Sequence, residues 1–324
     1  MTNFFRTLAA EAVTKMWPGL IYFRADRKNR AGLDVEVHST FIDIVKKSEF
    51  KKIRIGRANA VYLVDMLNEF EYYFQSVAPI SVRVGASQAY QVVDFSTPRF
   101  QQIAGFADFP VMCPSLSEPF VTAEQYIDFA GLRGGEVVLD LGSYSALTSI
   151  AFSKRVGAKG RVIAIEPDPV NFEAANVNLA LHSKINELHN ITLTQVAVSG
   201  TSGTLRLSSE GAMGSAEVAV VGGYRGKVVE VESLTLQDIV DRHKLDKVSF
   251  VKMDIEGSEE QTIAQAGDFF RKYRPKIIIE PHVVNGVLSE RAVTELLQRY
   301  GYTCKTIVQT GVNLPLVTAI PNAA

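Results

Sequence analysis

At positions 137–149 the chain reads VVLDLGSYSALTS, an apolar run that ends in an acid and a glycine and then passes directly into a helical pattern. A strand and turn that bind a nucleotide typically have such a sequence. Two further apolar runs also end in a carboxylate, RVIAIEP at 161–167 and FVKMDIEG at 250–257. Ligands bind at the carboxyl ends of parallel strands, so we expect one pocket shared by the three terminal acids, Asp140, Glu166 and Asp254.

From about residue 133 onward, short apolar runs alternate with stretches in which apolar residues recur every three or four positions. This alternation is typical of strand–helix–strand units around a largely parallel sheet. The predicted strands are 137–141, 161–166, 191–197, 249–254 and 276–280. The predicted helices are 146–156, 170–181, 236–244, 258–273 and 289–300.

Two later segments depart from this alternation. The apolar runs at 205–207 and 228–231 flank a glycine-rich stretch, 211–226, which predicts a strand pair joined by a mobile loop. The segments 302–308 and 316–320 predict an antiparallel hairpin that completes the sheet.

The first part of the chain, 1–115, lacks the alternation, and we interpret it as an α+β cap or oligomerisation region. Its apolar and aromatic spacing predicts a helix at 59–77 and a strand pair at 80–84 and 90–95. The aromatic stripe on that helix is typical of a core or a subunit contact, so a homo-oligomer stays open. Residues 116–324 form the second predicted domain.

The composition argues against several classes of protein. Lysine plus arginine number 34 against 35 acids, a balance that disfavours broad nucleic-acid binding. The only cysteines, Cys113 and Cys304, indicate neither a disulfide framework nor a cysteine-rich zinc site, and they fit a reducing, cytoplasmic setting. No stretch approaches the roughly 20 apolar residues that a membrane span requires.

The turn after residue 141 distinguishes between two nucleotide cofactors. A dinucleotide site needs several glycines to bring its pyrophosphate against the helix start, whereas this turn has only Gly142. An anionic Asp140 beside the turn would repel pyrophosphate but would suit the cationic amino end of a methionine-like group. The charges therefore favour S-adenosylmethionine over NAD.

Four stretches in order resemble the S-adenosylmethionine-dependent methyltransferases of the FkbM type. They are VLDLG at 138–142, IEP at 165–167 with Asn171, VKMDIEGSE at 251–259, and the segment from RP at 274–275 to IEPH at 279–282. The resemblance implies the class I methyltransferase fold, which is Rossmann-like, α/β, and built on a mostly parallel seven-stranded sheet. It extends from about Pro119 to the C-terminus, and its Lys-x-Asp-x-Glu-Gly element discriminates best.

The resemblance also implies roles for individual residues. Asp140 and Gly142 would contact the methionine end of the cofactor, Glu166 would accept the ribose hydroxyls, and Asp254 would lie near the reactive methyl group. Thr122, Gln125 or Tyr126 would close over the cofactor. The remaining expected cofactor contacts are Ser143 and Tyr144 in the turn, Pro167 beside the ribose, and Val196 and Ala197 beside the adenine.

This chain departs from the family pattern at two positions in the turn. The family usually has glycine where Ala146 stands and often asparagine where Tyr144 stands. The added methyl group of Ala146 tolerates helix formation well. We expect it to crowd a closely approaching cofactor.

Methyl transfer requires an aligned acceptor and a base that removes its proton. The candidate catalytic residues are Asp254, Glu280 and His282, of which the last two lie two apart near a strand end. The same three side chains could instead hold a divalent cation that lowers the pKa of an acceptor hydroxyl, and we rank base catalysis ahead of a metal.

Structural roles are the alternatives to these assignments. Asp140 could cap the following helix, Glu166 could be a solvated strand end, and Glu256 fits a charge at a helix N-terminus. His282 follows Pro281, where a histidine is as often a surface residue as a functional one.

These expectations converge on an O-methyltransferase. The resemblance implies a hydroxyl of a sugar or of a natural-product small molecule as the acceptor. Two alternatives stay open: a catalytically degenerate methyltransferase fold that serves as a binding module, and, with less support, an NAD-dependent oxidoreductase.

Overall fold

The computed structural model describes residues 32–84, 88–117, 119–221, 227–312 and 314–323. The chain divides into two compact units between Phe120 and Val121. The sequence placed this boundary five residues earlier, in a proline-containing connection.

The first unit contains a five-stranded sheet in which strands pair in the order β1-β2-β3-β5-β4. Only β3 and β5 run parallel. Its strands are β1 Asp34–Val37, β2 Phe41–Lys46, β3 Lys51–Gly56, β4 Ile80–Val84 and β5 Gln88–Phe95. The sequence predicted the β4–β5 pair but missed the first three strands. A short hairpin of β6, Arg99–Gln101, and β7, Val111–Cys113, follows.

The single helix predicted at 59–77 is wrong. A 3₁₀ helix, Arg57–Tyr62, leads into α1, Leu63–Asn68, and α2, Phe70–Phe74. Glu69 leaves helical geometry between the two α-helices, with φ −118° and ψ 41°. Buried apolar residues at three- and four-residue spacing explain why the pattern suggested one helix.

The second unit is built on a seven-stranded sheet in the order β10-β9-β8-β15-β16-β20-β19. The first five of these strands are parallel to one another, and β20 runs antiparallel to both of its neighbours, β16 and β19. Their bounds are β8 Val137–Leu141, β9 Arg161–Ile165, β10 Ile191–Thr194, β15 Phe250–Met253, β16 Lys276–Ile279, β19 Tyr302–Val308 and β20 Pro315–Pro321. The predicted fold class and the C-terminal hairpin are confirmed.

Helices connect these strands. They are α3 Val121–Ala130, α4 Leu147–Val156, α5 Pro169–Asn186, α6 Val218–Val221, α7 Leu236–Arg242, α8 Glu259–Gln265, α9 Gly267–Tyr273 and α10 Glu290–Arg299. The helix predicted at 258–273 is broken at Ala266, where the chain leaves helical geometry. The break lets Ile263 and Phe270, each 0% exposed, both reach the core.

The glycine-rich region forms a second, four-stranded sheet in the order β11-β14-β12-β13. Its strands are β11 Ala197–Val198, β12 Gly203–Ser209, β13 Ala216–Glu217 and β14 Lys227–Leu234. Strands β12 and β14 are antiparallel, which confirms the predicted strand pair. Residues 222–226 and Asn313 of the predicted turns lie outside the described residues. The strand predicted at 191–197 ends at Thr194 because Ala197 pairs with β14 instead.

The strand register sets where the site lies. Leu141 is opposite both Ile165 and Met253, and Met253 is opposite Ile279, so these four strands end at the same level. The residues that follow the strand ends therefore lie side by side at one edge of the sheet: Glu166, Gly142, Asp254 and Glu280. Two short strands, β17 Val283–Val284 and β18 Val287–Leu288, form a hairpin just beyond this edge.

Within the described part of the chain, every helix is too short or too polar to cross a membrane.

Candidate functional site

The turn after β8 is held against two neighbouring strands. Its Gly142 has φ +79°, and a Cβ added there would lie 1.7 Å from the carbonyl oxygen of Asp254. The N–H groups of Gly142 and Ser143 donate to the carbonyl of Ile165 at 3.0 and 2.9 Å. Only glycine can occupy this position, because the backbone after β15 passes directly beside it.

Two other residues of the turn adopt left-handed backbone conformations. Tyr144 has φ 51° and Ala146 has φ 62°. Such a conformation costs a residue with a Cβ about 1–2 kcal/mol relative to glycine, and asparagine adopts it more readily than most residues. The preference for asparagine and glycine at these two positions therefore has a backbone cause, in addition to the expected crowding of the cofactor by Ala146.

Glu166 connects this turn to the next one. Its Oε2 accepts the N–H of Tyr144 at 2.8 Å, and its Oε1 accepts the N–H of Asp168 at 3.0 Å and the Asn171 side chain at 3.3 Å. The side chain is 4% exposed, and burial raises the pKa of Glu166 to about 8 although the N–H groups favour the ionised form. The solvated strand end considered for Glu166 is therefore wrong, while its ribose role stays a prediction.

Asp168 was missed by the sequence reasoning. It accepts the N–H of Val170 at 2.8 Å and so caps α5, directly after Pro167. Its other oxygen accepts the N–H of Gly211 at 3.1 Å and the hydroxyl of Ser215 at 2.6 Å. The fully buried Asp168 thereby ties the glycine-rich region to the end of β9.

Asp140 is 0% exposed, and its carboxylate faces the protein interior. Its Oδ2 accepts the hydroxyls of Thr148 at 2.7 Å and Ser149 at 2.5 Å, and its Oδ1 lies 3.8 Å from Nζ of Lys252. Burial raises the pKa of Asp140, against the lowering effect of Lys252. Asp140 alone therefore does not select a cationic ligand, because Lys252 already compensates its charge. Its contact with the cofactor stays a prediction.

Lys252 is the main site residue that the sequence reasoning missed. It lies on β15, is 4% exposed, and donates to the carbonyl of Gly142 at 2.6 Å and to Asp254 Oδ2 at 3.1 Å. Burial opposes its charge, but Asp254 and Asp140 outweigh burial and raise the pKa of Lys252, so it is cationic at neutral pH. A lysine inside an otherwise apolar strand was the available signal.

The three candidate catalytic side chains lie together beyond β15 and β16. One potential ligand atom from each of Asp254, Glu280 and His282 lies within 4.8 Å of the others. Nε2 of His282 is 3.6 Å from Asp254 Oδ1, and the Tyr126 hydroxyl donates to Glu280 at 3.5 Å. The structure thus brings the predicted set together.

Two further acids surround His282. Its Nε2 lies 3.4 Å from Glu256, and its Nδ1 lies 2.9 Å from the fully buried Glu259. Burial alone would lower the pKa of His282, but Glu256 and Glu259 outweigh burial and raise it well above 6.5. The structural role favoured for Glu256 is thus incomplete, because its carboxylate faces the imidazole. Glu259 belongs to the motif at 251–259, but the sequence pattern predicted no role for it.

The predicted adenine contacts are packed in the protein interior. Val196 is 1% exposed and belongs to the main core, and Ala197 is 6% exposed and packs against Leu207 and Val231 of the second sheet. Tyr126 of α3 is 4% exposed. The cofactor roles of these three residues stay predictions.

The turn region has buried polar atoms that S-adenosylmethionine could satisfy. Ser143 Oγ, Asp140 Oδ1 and Asn171 Oδ1 have no hydrogen-bond partner among the described residues. Buried polar groups are normally paired with protein, solvent or ligand atoms. Together with the glycine turn and a carboxylate after β9, these atoms fit the donors and acceptors of an amino acid joined to a nucleoside.

Comparisons with known proteins address the same region. Residues 138–304, just over half of the chain, match the family model described as the Methyltransferase FkbM domain. The 31-O-demethyl-FK506 methyltransferase FkbM of Streptomyces tacrolimicus is 25% identical over 201 residues, which cover 53% of this chain and 74% of that protein.

Two solved structures are also similar. The methyltransferase FkbM of Methylobacillus flagellatus KT is 19% identical with a TM-score of 0.41, and the match covers 60% of this chain and half of that one. The O-methyltransferase TomG of Streptomyces achromogenes is 14% identical with a TM-score of 0.40, covering 65% and 83%. With TM-scores below 0.5, these structures carry no weight in the assignment.

Proposed function

Because this chain belongs to the FkbM methyltransferase family and its methyl donor is S-adenosylmethionine, we propose that it methylates a hydroxyl group of a sugar or of a natural-product small molecule. One observation carries the proposal. The imidazole of His282 lies among carboxylates next to Asp254, whose backbone contacts Gly142 in the turn after β8. A base beside a cofactor turn is what transfer to a weakly acidic hydroxyl needs.

When bound, S-adenosylmethionine supplies a methyl group on a positively charged sulfur that keeps the bonding electrons as the acceptor oxygen takes the methyl. The side chains of this site then have to orient the hydroxyl and accept its proton. Nε2 of His282 is the proposed proton acceptor. Asp254 and Glu256, at 3.6 and 3.4 Å, stabilise the imidazolium that forms.

His282 suits this role better than the two carboxylates do. Asp254 is already paired with Lys252 at 3.1 Å, so a cation already occupies one of its oxygens. Glu280 accepts a hydrogen bond from Tyr126. Asp254 and Glu280 are therefore proposed to position the acceptor and the imidazole.

A metal-assisted variant of the same reaction is the second candidate. The grouping of Asp254, Glu280 and His282 within 4.8 Å favours it, because two carboxylates and an imidazole can hold a divalent cation. The cation would lower the pKa of the acceptor hydroxyl. Nε2 cannot bind the metal and accept the proton at the same time, so the two mechanisms exclude each other.

Two observations bear on the acceptor, one from the structure and one from a relative. Val283 and Val287, on the hairpin that follows His282, are 48% and 68% exposed. The relative from Streptomyces tacrolimicus acts, by its name, on an O-demethyl form of FK506. We infer a hydroxyl on an apolar scaffold, rather than a free polar sugar, as the first acceptor to test.

Methyl transfer from labelled S-adenosylmethionine to a panel of glycans and hydroxylated natural products tests the proposal, with and without EDTA. We expect an O-methyl product, located by NMR, whose formation EDTA does not reduce. Loss of activity in EDTA that Mg²⁺ or Mn²⁺ restores would select the metal mechanism. An N- or C-methyl product would overturn the O-methyl assignment. Tight cofactor binding without turnover on any acceptor would favour the degenerate binding module.

A further inference from the structure

Glu259, the first residue of α8, has a carboxylate that is entirely buried yet hydrogen-bonded, within the described part of the chain, through only one oxygen. Its Oε1 accepts the N–H of Ile255 at 3.1 Å and of Gly257 at 3.2 Å, and it lies 2.9 Å from Nδ1 of His282. Its Oε2 has no partner within the described ranges. We propose that Glu259 positions His282 for catalysis by fixing the ring proton on Nδ1, an inference that rests on the proposed function of His282 as the base.

The two backbone donors decide which nitrogen carries the proton. An N–H group can only donate, so Oε1 is an acceptor towards Ile255 and Gly257. A protonated Glu259 would carry its hydrogen on Oε2, and Oε1 would accept in that case as well. Nδ1 of His282 must therefore be the donor in its contact with Oε1. In the neutral ring the free lone pair then belongs to Nε2.

This tautomer directs the reactive nitrogen towards the strand ends. Nε2 faces Glu256 at 3.4 Å and Asp254 at 3.6 Å, on the side where β15 ends. Without an acceptor at Nδ1, the neutral ring would instead place its hydrogen on Nε2, next to these carboxylates. That tautomer has no lone pair with which to take the proton of the acceptor hydroxyl.

The same carboxylate holds the backbone that carries the neighbouring acids. Glu256 has φ 52° and Gly257 φ 101°, conformations that only glycine adopts without cost. A Cβ on Gly257 would lie 2.7 Å from Val220 and 3.1 Å from Val284. By bonding the N–H groups on both sides of Glu256, Glu259 keeps this strained turn in place and joins it to His282.

Two substitutions separate the positioning role from the negative charge. Glu259→Gln keeps an oxygen that the same two N–H groups orient, and its amide NH₂ replaces the unpaired Oε2. Glu259→Met has a similar length but no acceptor. The exposed neighbour Glu260, on the same helix, provides the control Glu260→Gln.

The first readout is the ¹⁵N NMR spectrum of the full-length protein at alkaline pH, where His282 is neutral. A His282→Gln spectrum identifies its signals among the five histidines. We expect the Nδ1–H tautomer in the wild type and in Glu259→Gln, and a shift towards Nε2–H in Glu259→Met. An Nε2–H tautomer in the wild type would overturn the proposal without any reference to activity or to folding of a variant.

The second readout is turnover. For Glu259→Met we expect kcat to fall by about 100-fold with little change in KM or in cofactor affinity, and for Glu259→Gln a fall below about 10-fold. If kcat falls in Glu259→Met only together with a comparable fold-loss of cofactor affinity and a lower melting temperature, the role of Glu259 is merely structural. If His282→Gln itself retains activity, the proposed role of His282 as the base fails. The tautomer measurement still tests the role of Glu259 in that case.

Discussion

Replacement of Lys252 by methionine should destabilise the second unit by about 4 kcal/mol at pH 7. Methionine matches the lysine stem but leaves the fully buried Asp140 without a compensating charge. Removing one partner of a buried ion pair typically costs about 3–5 kcal/mol. Asp140 can avoid the uncompensated charge by taking up a proton. At pH 7, roughly three units above the ordinary pKa of an aspartate, that protonation also costs about 4 kcal/mol. The cost of the unpaired charge and the cost of protonating Asp140 are therefore similar in size.

Protonation of Asp140 makes the loss of stability in Lys252→Met depend on pH. Protonating Asp140 costs less in acid, so at pH 5 the loss should shrink to about 1.5 kcal/mol. The free energy of opening is measured by hydrogen exchange of the amides in β8 and β15 as urea is increased, because this signal reports on the second unit alone. Lys276→Met is the matched control, since Lys276 on the adjacent β16 donates to the carbonyls of Phe129 and Ala130 and pairs with no buried carboxylate among the residues that the structure describes.

Adding Asp140→Asn to Lys252→Met should recover at least about 2 kcal/mol, because the uncompensated charge is then gone. A loss in Lys252→Met no larger than in Lys276→Met would refute the reasoning. So would a loss that is the same at pH 5 and pH 7, since the charge of Asp140 would then not be its cause.

Three further predictions follow from single groups. Glu166→Ala should weaken S-adenosylmethionine binding by about 10- to 100-fold in calorimetry, because the oxygens proposed to accept the ribose hydroxyls are lost. The exposed Glu173→Ala is the control, and an unchanged affinity would remove the ribose role. Glu256 and Glu259 raise the pKa of His282 well above 6.5, so the proposed base is protonated at neutral pH. We therefore expect kcat/KM to rise with pH above 7, and this rise to be absent in His282→Gln. A flat pH profile of the wild type would contradict the assignment of His282 as the base. Glu187 follows the last residue of α5 with φ 55°, a conformation that favours glycine, so Glu187→Gly should stabilise the protein by about 0.5–1 kcal/mol in thermal unfolding. Lys184→Gly, within the same helix, should destabilise it. Lower stability in both variants would contradict a backbone cost at Glu187.

The sequence predicted best the features that depend on local patterns. The strand predicted at 137–141 has these bounds in the structure, and the one predicted at 276–280 ends one residue earlier, at Ile279, because a buried strand continues only as long as its residues can be buried. It failed where local periodicity had two solutions. The segments 59–77 and 258–273 have helical spacing throughout, but Glu69 and Ala266 break them so that the apolar residues on both sides reach a core.

Partners of the site residues were the hardest to predict. Each candidate acid was found from its place after an apolar run, yet nothing in that pattern says what an acid faces once buried. Asp140 and Lys252 are 112 residues apart, and Glu259 and His282 are 23 apart. These pairs meet only because β15 lies between β8 and β16 in the sheet, so no spacing in the chain could have indicated them.

Residue order alone therefore predicted one shared sheet edge, from three apolar runs that end in acids and one glycine in the first turn. Glu166 and Asp254 follow strands that end at this edge, because parallel strands end together, whereas Asp140 lies within β8. Tertiary structure decided the charges there. Strand order brings Lys252 beside Asp140 and turns an apparent binding charge into a buried ion pair, and it brings Glu259 to His282 and makes that histidine a cation at neutral pH. The physical reason is that a charge depends on burial and on its neighbours, and both are set by long-range packing.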